Sequence, residues 1–239
     1  MALKPVYKRV LLKLSGEALA GEKGTGLNFE IIRSVCAAVK RCVELGVEVG
    51  VVVGGGNFWR GARVSGGTME RSRADHMGML ATVMNALALS DVLEQLSVPA
   101  VVQTMVDMPR IAEPYTRRGA EAALKAGKVV IFGCGTGSPF FSTDTGAALK
   151  AAEIGADALL LAKNIDGVYS ADPRTDPAAV KYDRISYAEV LSQRLAVMDS
   201  TATSLAMDNG IPVVVFALAD PENIVRVVCG EDIGTKVTS

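Results

Sequence analysis

Short, nearly unbroken aliphatic runs alternate along this chain with longer stretches of amphipathic spacing. Arg9–Leu14, Val49–Val53, Val98–Thr104, Lys128–Phe132, Ala158–Leu161 and Ile211–Phe216 carry little polar alternation. Such runs predict strands covered on both faces, as in a parallel sheet lined by helices. Between them, Asn28 is placed to cap a helix reaching about Leu45, with Ile31, Ile32, Val35, Val39 and Val43 at helical spacing and Gly46 as its stop. A long helix is expected from Met69 to Leu96, with Met77, Leu80, Ala81, Met84 and Leu87 along one face and Met77, Met79 and Met84 as core filler. Further helices are expected over Arg117–Ala126, Thr145–Ile154, Tyr187–Gln193, Thr201–Asn209 and Pro221–Cys229, with Thr235–Thr238 as a last edge strand. Regular alternation of this kind predicts an α/β fold, a three-layer α/β/α sandwich with a mainly parallel central sheet.

The strand ends hold the candidate chemistry. Val49–Val53 empties into Gly54, Gly55 and Gly56, with Arg60 four residues on; Arg9–Leu14 ends at Ser15-Gly16; Lys128–Phe132 runs into Gly133–Asp144, GCGTGSPFFSTD. In parallel sheets ligands sit beyond the carboxyl ends of the strands, so these glycine-rich ends are expected to converge on one crevice. Glycine lets backbone N–H groups approach a ligand closely, and arginine offers a planar fork suited to phosphate. No GxxxxGK[ST] loop, no GxGxxG opening a helix and no GxSxG elbow occurs. What remains suits phosphate-bearing ligands better than an acyl group.

Composition narrows the partners. The 239 residues are 49% hydrophobic, and 25 Lys+Arg stand against 26 Asp+Glu, which disfavours nucleic acid as a main partner. Lys13 interrupts the apolar N-terminal run, leaving it too short for a signal peptide, and no membrane span is expected. Cys36, Cys42, Cys134 and Cys229 show no metal-ligand spacing and His76 is the one histidine, so no metal site is expected in the protein itself. Reduced thiols in a cytoplasmic protein are the default.

Each candidate also has a plain structural use. Lys13 can snorkel from its strand end, Asp75 can favour the dipole of the long helix, and Asp144 or Asp199 can cap the helix that follows. Asp166-Gly167 and Asp172-Pro173 read as turns, and Trp59 as cavity wall.

In order and spacing, YKRVLLKLSGEAL (Tyr7–Leu19), GGGNFWRG (Gly54–Gly61), ADHMGMLATVMNALAL (Ala74–Leu89), GTGSPFFSTD (Gly135–Asp144), DGVYSADP (Asp166–Pro173) and VMD (Val197–Asp199) resemble the bacterial uridylate kinases of the amino acid kinase superfamily. The resemblance runs from about Tyr7 to Thr238. It implies a single amino acid kinase-type domain, with an acceptor-nucleotide lobe over about 1–150 and an ATP lobe over 151–239. It implies transfer of the γ-phosphoryl group of ATP to UMP with Mg2+, giving UDP in pyrimidine biosynthesis.

By the same resemblance, Lys13, Leu14, Ser15, Gly16, Gly56, Arg60, Lys163, Asn164, Tyr169 and Asp172 contact ATP. Gly55, Asp75, Thr136, Gly137, Ser138, Pro139, Phe140, Phe141, Ser142 and Thr143 contact UMP. Lys13, Arg60, Asp144 and Asp199 are implied as catalytic. Gly21, Glu22, Lys23, Gly24, Thr25 and Gly26 form a loop linked to activation by GTP, with UTP as an inhibitor and a homohexamer as the assembly. Lys163-Asn164 stands where some relatives carry Thr-Lys, so the adenine contacts stay open. From the residues alone, a kinase for a small carboxylate or carbamate and a nucleotide-binding protein without turnover remain open too.

Overall fold

The computed structural model describes residues 4–60, 69–195 and 197–239. Gly61 and the polar loop expected over Ala62–Thr68 lie outside them. The strands are β1 (Arg9–Leu14), β2 (Glu48–Val53), β3 (Ala100–Thr104), β4 (Glu113–Pro114), β5 (Val129–Gly133), β6 (Ala158–Lys163), β7 (Val168–Tyr169), β8 (Lys181–Tyr182), β9 (Arg184–Ser186), β10 (Val213–Ala217) and β11 (Thr235–Thr238). The helices are α1 (Phe29–Glu44), α2 (Arg71–Gln95), α3 (Arg117–Lys125), α4 (Thr143–Ile154), α5 (Tyr187–Ser192), α6 (Ser200–Asp208) and α7 (Glu222–Val228).

A nine-stranded sheet in the order β4-β3-β5-β2-β1-β6-β10-β11-β9 forms the middle layer, and β7 pairs with β8 in a separate ribbon. Every neighbouring pair in the large sheet is parallel except β10 with β11. Thr235–Thr238 is therefore an interior strand, and the edge expected there is supplied by Arg184–Ser186. That strand was not expected, because three residues leave no period to read.

The central strand β1 pairs with β2 on one side and β6 on the other, with Lys13 opposite both Val52 and Leu161. Alternation along β1 sends Leu12 and Leu14 into one core with α1, α2 and α7, and Leu11 into the other with α3, α4 and α6. Lys13 shares parity with Leu11 and so faces the α4 side. The α1 cap is as expected: the Asn28 side chain accepts from the Glu30 and Ile31 amides.

In α2 the buried face is not the expected one. Met77, Leu80, Met84 and Leu87 are exposed, whereas Met79, Ala81, Val83, Ala86, Leu89, Val92 and Leu93 are buried. The helix is apolar nearly all round, so spacing alone could not choose the side that meets the sheet. Contrary to expectation, its length and composition also meet the threshold for a membrane span, with a mean hydropathy of 1.3 over its most apolar window. Here that apolar surface packs in part on β3 and β5.

Gly50 on β2 records how tightly the layers meet. An added Cβ would lie 2.9 Å from Leu11 Cδ1, 3.1 Å from Phe132 Cε2 and 3.2 Å from Ile154 Cδ1. Gly50→Ala is expected to cost ~1–3 kcal/mol by overpacking, lowering the urea midpoint at constant slope. An unchanged midpoint would mean that these three side chains yield freely.

Candidate active site

The glycine-tipped ends of β1, β2 and β5 do converge. Lys13, Ser15, Gly16, Gly54, Gly55, Gly56 and Gly135 line one cavity of about 730 Å³, together with Arg60, Asp75, Thr136, Ser138, Phe140, Phe141, Ser142, Thr143 and Asp199. Its floor depends on missing side chains. A Cβ on Gly16 would stand 2.4 Å from the Gly54 carbonyl oxygen, and one on Gly55 would stand 2.7 Å from the Gly78 carbonyl oxygen in α2. The Gly54 amide continues the sheet ladder to the Leu14 carbonyl at 3.0 Å. Beyond it, Phe58 and Trp59 both donate backbone N–H groups to the Gly55 carbonyl, closing a tight turn.

Lys13 does not snorkel to solvent. It is 8% exposed, and its ammonium lies 2.5 Å from Asp144 Oδ1. Asp144 is in the first turn of α4; the cap is Ser142, whose hydroxyl accepts from the Asp144 and Thr145 amides. That leaves the Asp144 carboxylate free to hold Lys13.

Asp199 caps α6 by accepting from the Ala202 amide, and it also accepts from the Ser142 and Thr145 hydroxyls. Burial works to raise its carboxyl pKa, but these bonds outweigh burial and hold it below the ordinary 3.8. Asp199 thus ties the start of α6 to the start of α4.

Asp75 accepts from Arg71 Nε and from the Phe140 amide at 2.8 Å, which fastens the 134–142 segment to α2. Phe140 takes φ +71°, its ring is exposed, and the Arg71 guanidinium lies 5.5 Å from the ring centroid. Arg60 is paired with Glu17 at the cavity rim. Of the expected acceptor residues, Gly137 and Pro139 sit in the same segment without lining the cavity; of the expected ATP contacts, Leu14 is wholly buried and does not line it either.

Lys163, Asn164, Tyr169 and Asp172 fall elsewhere, in a second cavity of about 510 Å³ beside the β7–β8 ribbon. Tyr169 donates its hydroxyl to Asp166 at 2.8 Å. Asp172 makes the expected turn, accepting from the Arg174 amide. Hydrogen bonds from the Arg174 side chain and amide hold its carboxyl down at about 2.

Lys163 lines the second cavity and reaches toward the start of α6. Its ammonium donates to the Val197 carbonyl, two residues before Asp199. Burial lowers its pKa, and it feels Asp144, Lys13 and Asp199. The loop Gly21–Gly26 is outside both cavities, docked on Asn57 through Gly26.

Several residues of the site went unread in the sequence. Glu17 and Arg71 pair with the expected Arg60 and Asp75. Thr82 on α2 accepts from the Cys134 amide at 2.8 Å and fixes the start of the 134–142 segment. A threonine and an asparagine inside ATVMNALAL were the available signal: polar groups on a buried apolar helix face.

Because the folded state holds Asp199 below its ordinary pKa, the carboxylate stabilises the fold above about pH 4, and that contribution is lost as pH falls through the lowered value. Asp199→Asn should therefore be less stable than wild type in urea at pH 7. The gap should shrink by pH 3, and a gap constant with pH would remove the charge from this account.

Comparison with known proteins agrees with this architecture. The amino acid kinase family model matches residues 8–217. A UMP kinase from Bacillus anthracis is 38% identical with a TM-score of 0.94, covering 97% of this chain and 96% of that one. A UMP kinase from Ureaplasma parvum is 35% identical with a TM-score of 0.91, covering 97% of this chain and 99% of that one. A uridylate kinase from Archaeoglobus fulgidus is 33% identical with a TM-score of 0.76, covering 96% and 99%. The chain belongs to the amino acid kinase family.

Proposed function

We propose that this protein is a UMP kinase that transfers the γ-phosphoryl group of ATP to UMP. The observation that carries the reading is the pair of cavities at the carboxyl ends of the strands, with Lys13 and the glycine triplet lining the larger one and Lys163 the smaller. The larger cavity takes UMP and the phosphate end of ATP, and the smaller takes the adenosine. That division corresponds to an acceptor lobe over about 1–150 and a donor lobe over 151–239. Asp75 and the segment Thr136–Thr143 hold the acceptor nucleoside; Asn164, Tyr169 and Asp172 border the donor nucleoside.

The chemistry asks little of a base. A nucleotide phosphate has its second pKa near ~6 and is already largely deprotonated near neutrality. The difficulty is to bring two polyanions into line, so catalysis is positioning and charge neutralisation by Lys13, Arg60, Lys163 and backbone amides. Asp144 keeps the Lys13 ammonium at the strand end. Asp199 keeps the starts of α4 and α6 in register.

Among the described residues no cluster of three acidic, histidine or cysteine side chains offers a metal cage. A magnesium ion bound with ATP would offset the phosphate charge, and Asp144 and Asp199 are the carboxylates of this chain that would face it.

The exposed face of α2 (Met77, Leu80, Met84 and Leu87) fits burial between subunits of a homohexamer. We extend the reading to activation by GTP through the Gly21–Gly26 loop, inhibition by UTP, and a cytoplasmic place in pyrimidine nucleotide biosynthesis.

A coupled assay with ATP and UMP is expected to release UDP, faster with GTP present. Turnover of carbamate or glutamate derivatives without UMP turnover would overturn the reading. Lys13→Ala should lower kcat by at least ~10²-fold with an unchanged far-UV spectrum, the scale of losing one preorganised charge.

A further inference from the structure

Below the glycine triplet lies a buried polar group that none of the roles above uses. Asn57 follows the triplet and Asn85 sits mid-way along α2; they are 3% and 0% exposed. Their side-chain amides form a reciprocal pair. Asn57 Nδ2 donates to Asn85 Oδ1 at 2.9 Å, and Asn85 Nδ2 donates to Asn57 Oδ1 at 2.7 Å. The second N–H of Asn85 goes to the Gly54 carbonyl at 2.6 Å, and that of Asn57 to the Gly26 carbonyl at 2.8 Å. All four N–H groups are thus used. The network admits one orientation, since flipping either amide would set its oxygen against a carbonyl oxygen. The backbone adds a fifth bond, from the Gly26 amide to the Asn57 carbonyl at 3.0 Å.

Burying two primary amides is costly unless every group is satisfied, and an apolar pair would fill the same space without that cost. What an apolar pair could not do is hold two backbone carbonyls. The peptide unit is planar and trans, so a Gly54 carbonyl held toward Asn85 turns the Gly55 N–H the opposite way. Gly55 lines the larger cavity. Gly16 closes the arrangement from the other side: a Cβ there would stand 2.6 Å from Asn57 Oδ1.

We propose that the Asn57–Asn85 pair is the positioning element of the phosphate-binding turn: Asn85 sets the Gly54–Gly55 peptide, and Asn57 locks the Gly21–Gly26 loop onto the same turn. The proposal deepens the kinase reading and rests on it. Neither residue touches the reacting atoms; both act through the backbone they hold.

Asn85→Asp keeps size and acceptors but faces the Gly54 carbonyl with oxygen in place of N–H. It is expected to lower kcat about 10-fold or more, with KM for either nucleotide changed much less, because the misplaced amide matters most where charge develops. Asn57→Ser keeps the Asn85 bond to Gly54 and releases the Gly26 carbonyl while the Gly26 amide stays on the residue-57 carbonyl, so amide hydrogen exchange over 19–28 should quicken while kcat falls less than in Asn85→Asp. Gly50→Ala, destabilised in the core away from the site, serves as control and should turn over like wild type.

A folded Asn85→Asp with kcat within twofold of wild type would overturn the proposal, as would a loss matched by Gly50→Ala. If Asn85→Asp does not fold, unchanged exchange over 19–28 in Asn57→Ser overturns it instead. Wild-type protein that makes no UDP would sink the kinase reading itself, while the exchange measurement would still decide whether Asn57 holds the loop.

Discussion

The site depends on how closely two strand ends approach each other. At Gly16 and Gly54 the turns leaving β1 and β2 touch backbone to backbone, and Gly16 has no room for even a methyl group. Side chains there would push the turns apart and fill the cavity floor. Without them, the end of the central strand, the glycine turn and α2 share one crevice, lined in part by glycine backbone. A parallel sheet makes this arrangement cheap, since every strand of the central run delivers its turn to the same edge.

Charge at that edge is arranged in opposed pairs. Lys13 faces Asp144, Arg60 faces Glu17 and Arg71 faces Asp75. If the crevice holds two polyanions, as proposed, cations left unpaired would repel one another across low dielectric before any ligand arrived. Each carboxylate offsets that repulsion and holds its cation in place. Lys163 is the exception, held by a backbone carbonyl and lowered in pKa by burial.

Much of this was legible in the sequence for a simple reason. Strands buried on both faces are aliphatic throughout, so β1, β2, β5, β6 and β10 announced themselves, and the glycines at their ends marked the crevice. The resemblance then named about half of the residues that line it. Three kinds of feature stayed hidden. The two- and three-residue strands are too short for any period. The inward face of α2 is masked by a helix that is apolar almost all round, so the packing surface of the neighbouring sheet decided what spacing could not. And the partners of the expected residues (Glu17, Arg71, Thr82, Asn57 and Asn85) become visible only when distant segments meet, the amides of Asn57 and Asn85 being 28 positions apart.

The last group bears on how the crevice keeps its shape. A backbone turn of three glycines has the largest conformational freedom the chain can offer, and a phosphate site needs the least. Something outside the turn must remove that freedom. The carbonyls of Gly54 and Gly26 are each held by one arm of a buried amide pair, and Gly16 closes the remaining side. Flexibility in sequence is thereby converted into a fixed array of N–H groups, and the constraint is anchored in α2, the helix whose opposite face is left exposed. A subunit packed on that face would meet the same helix that holds the glycine turn, so assembly and site geometry would share one rigid element.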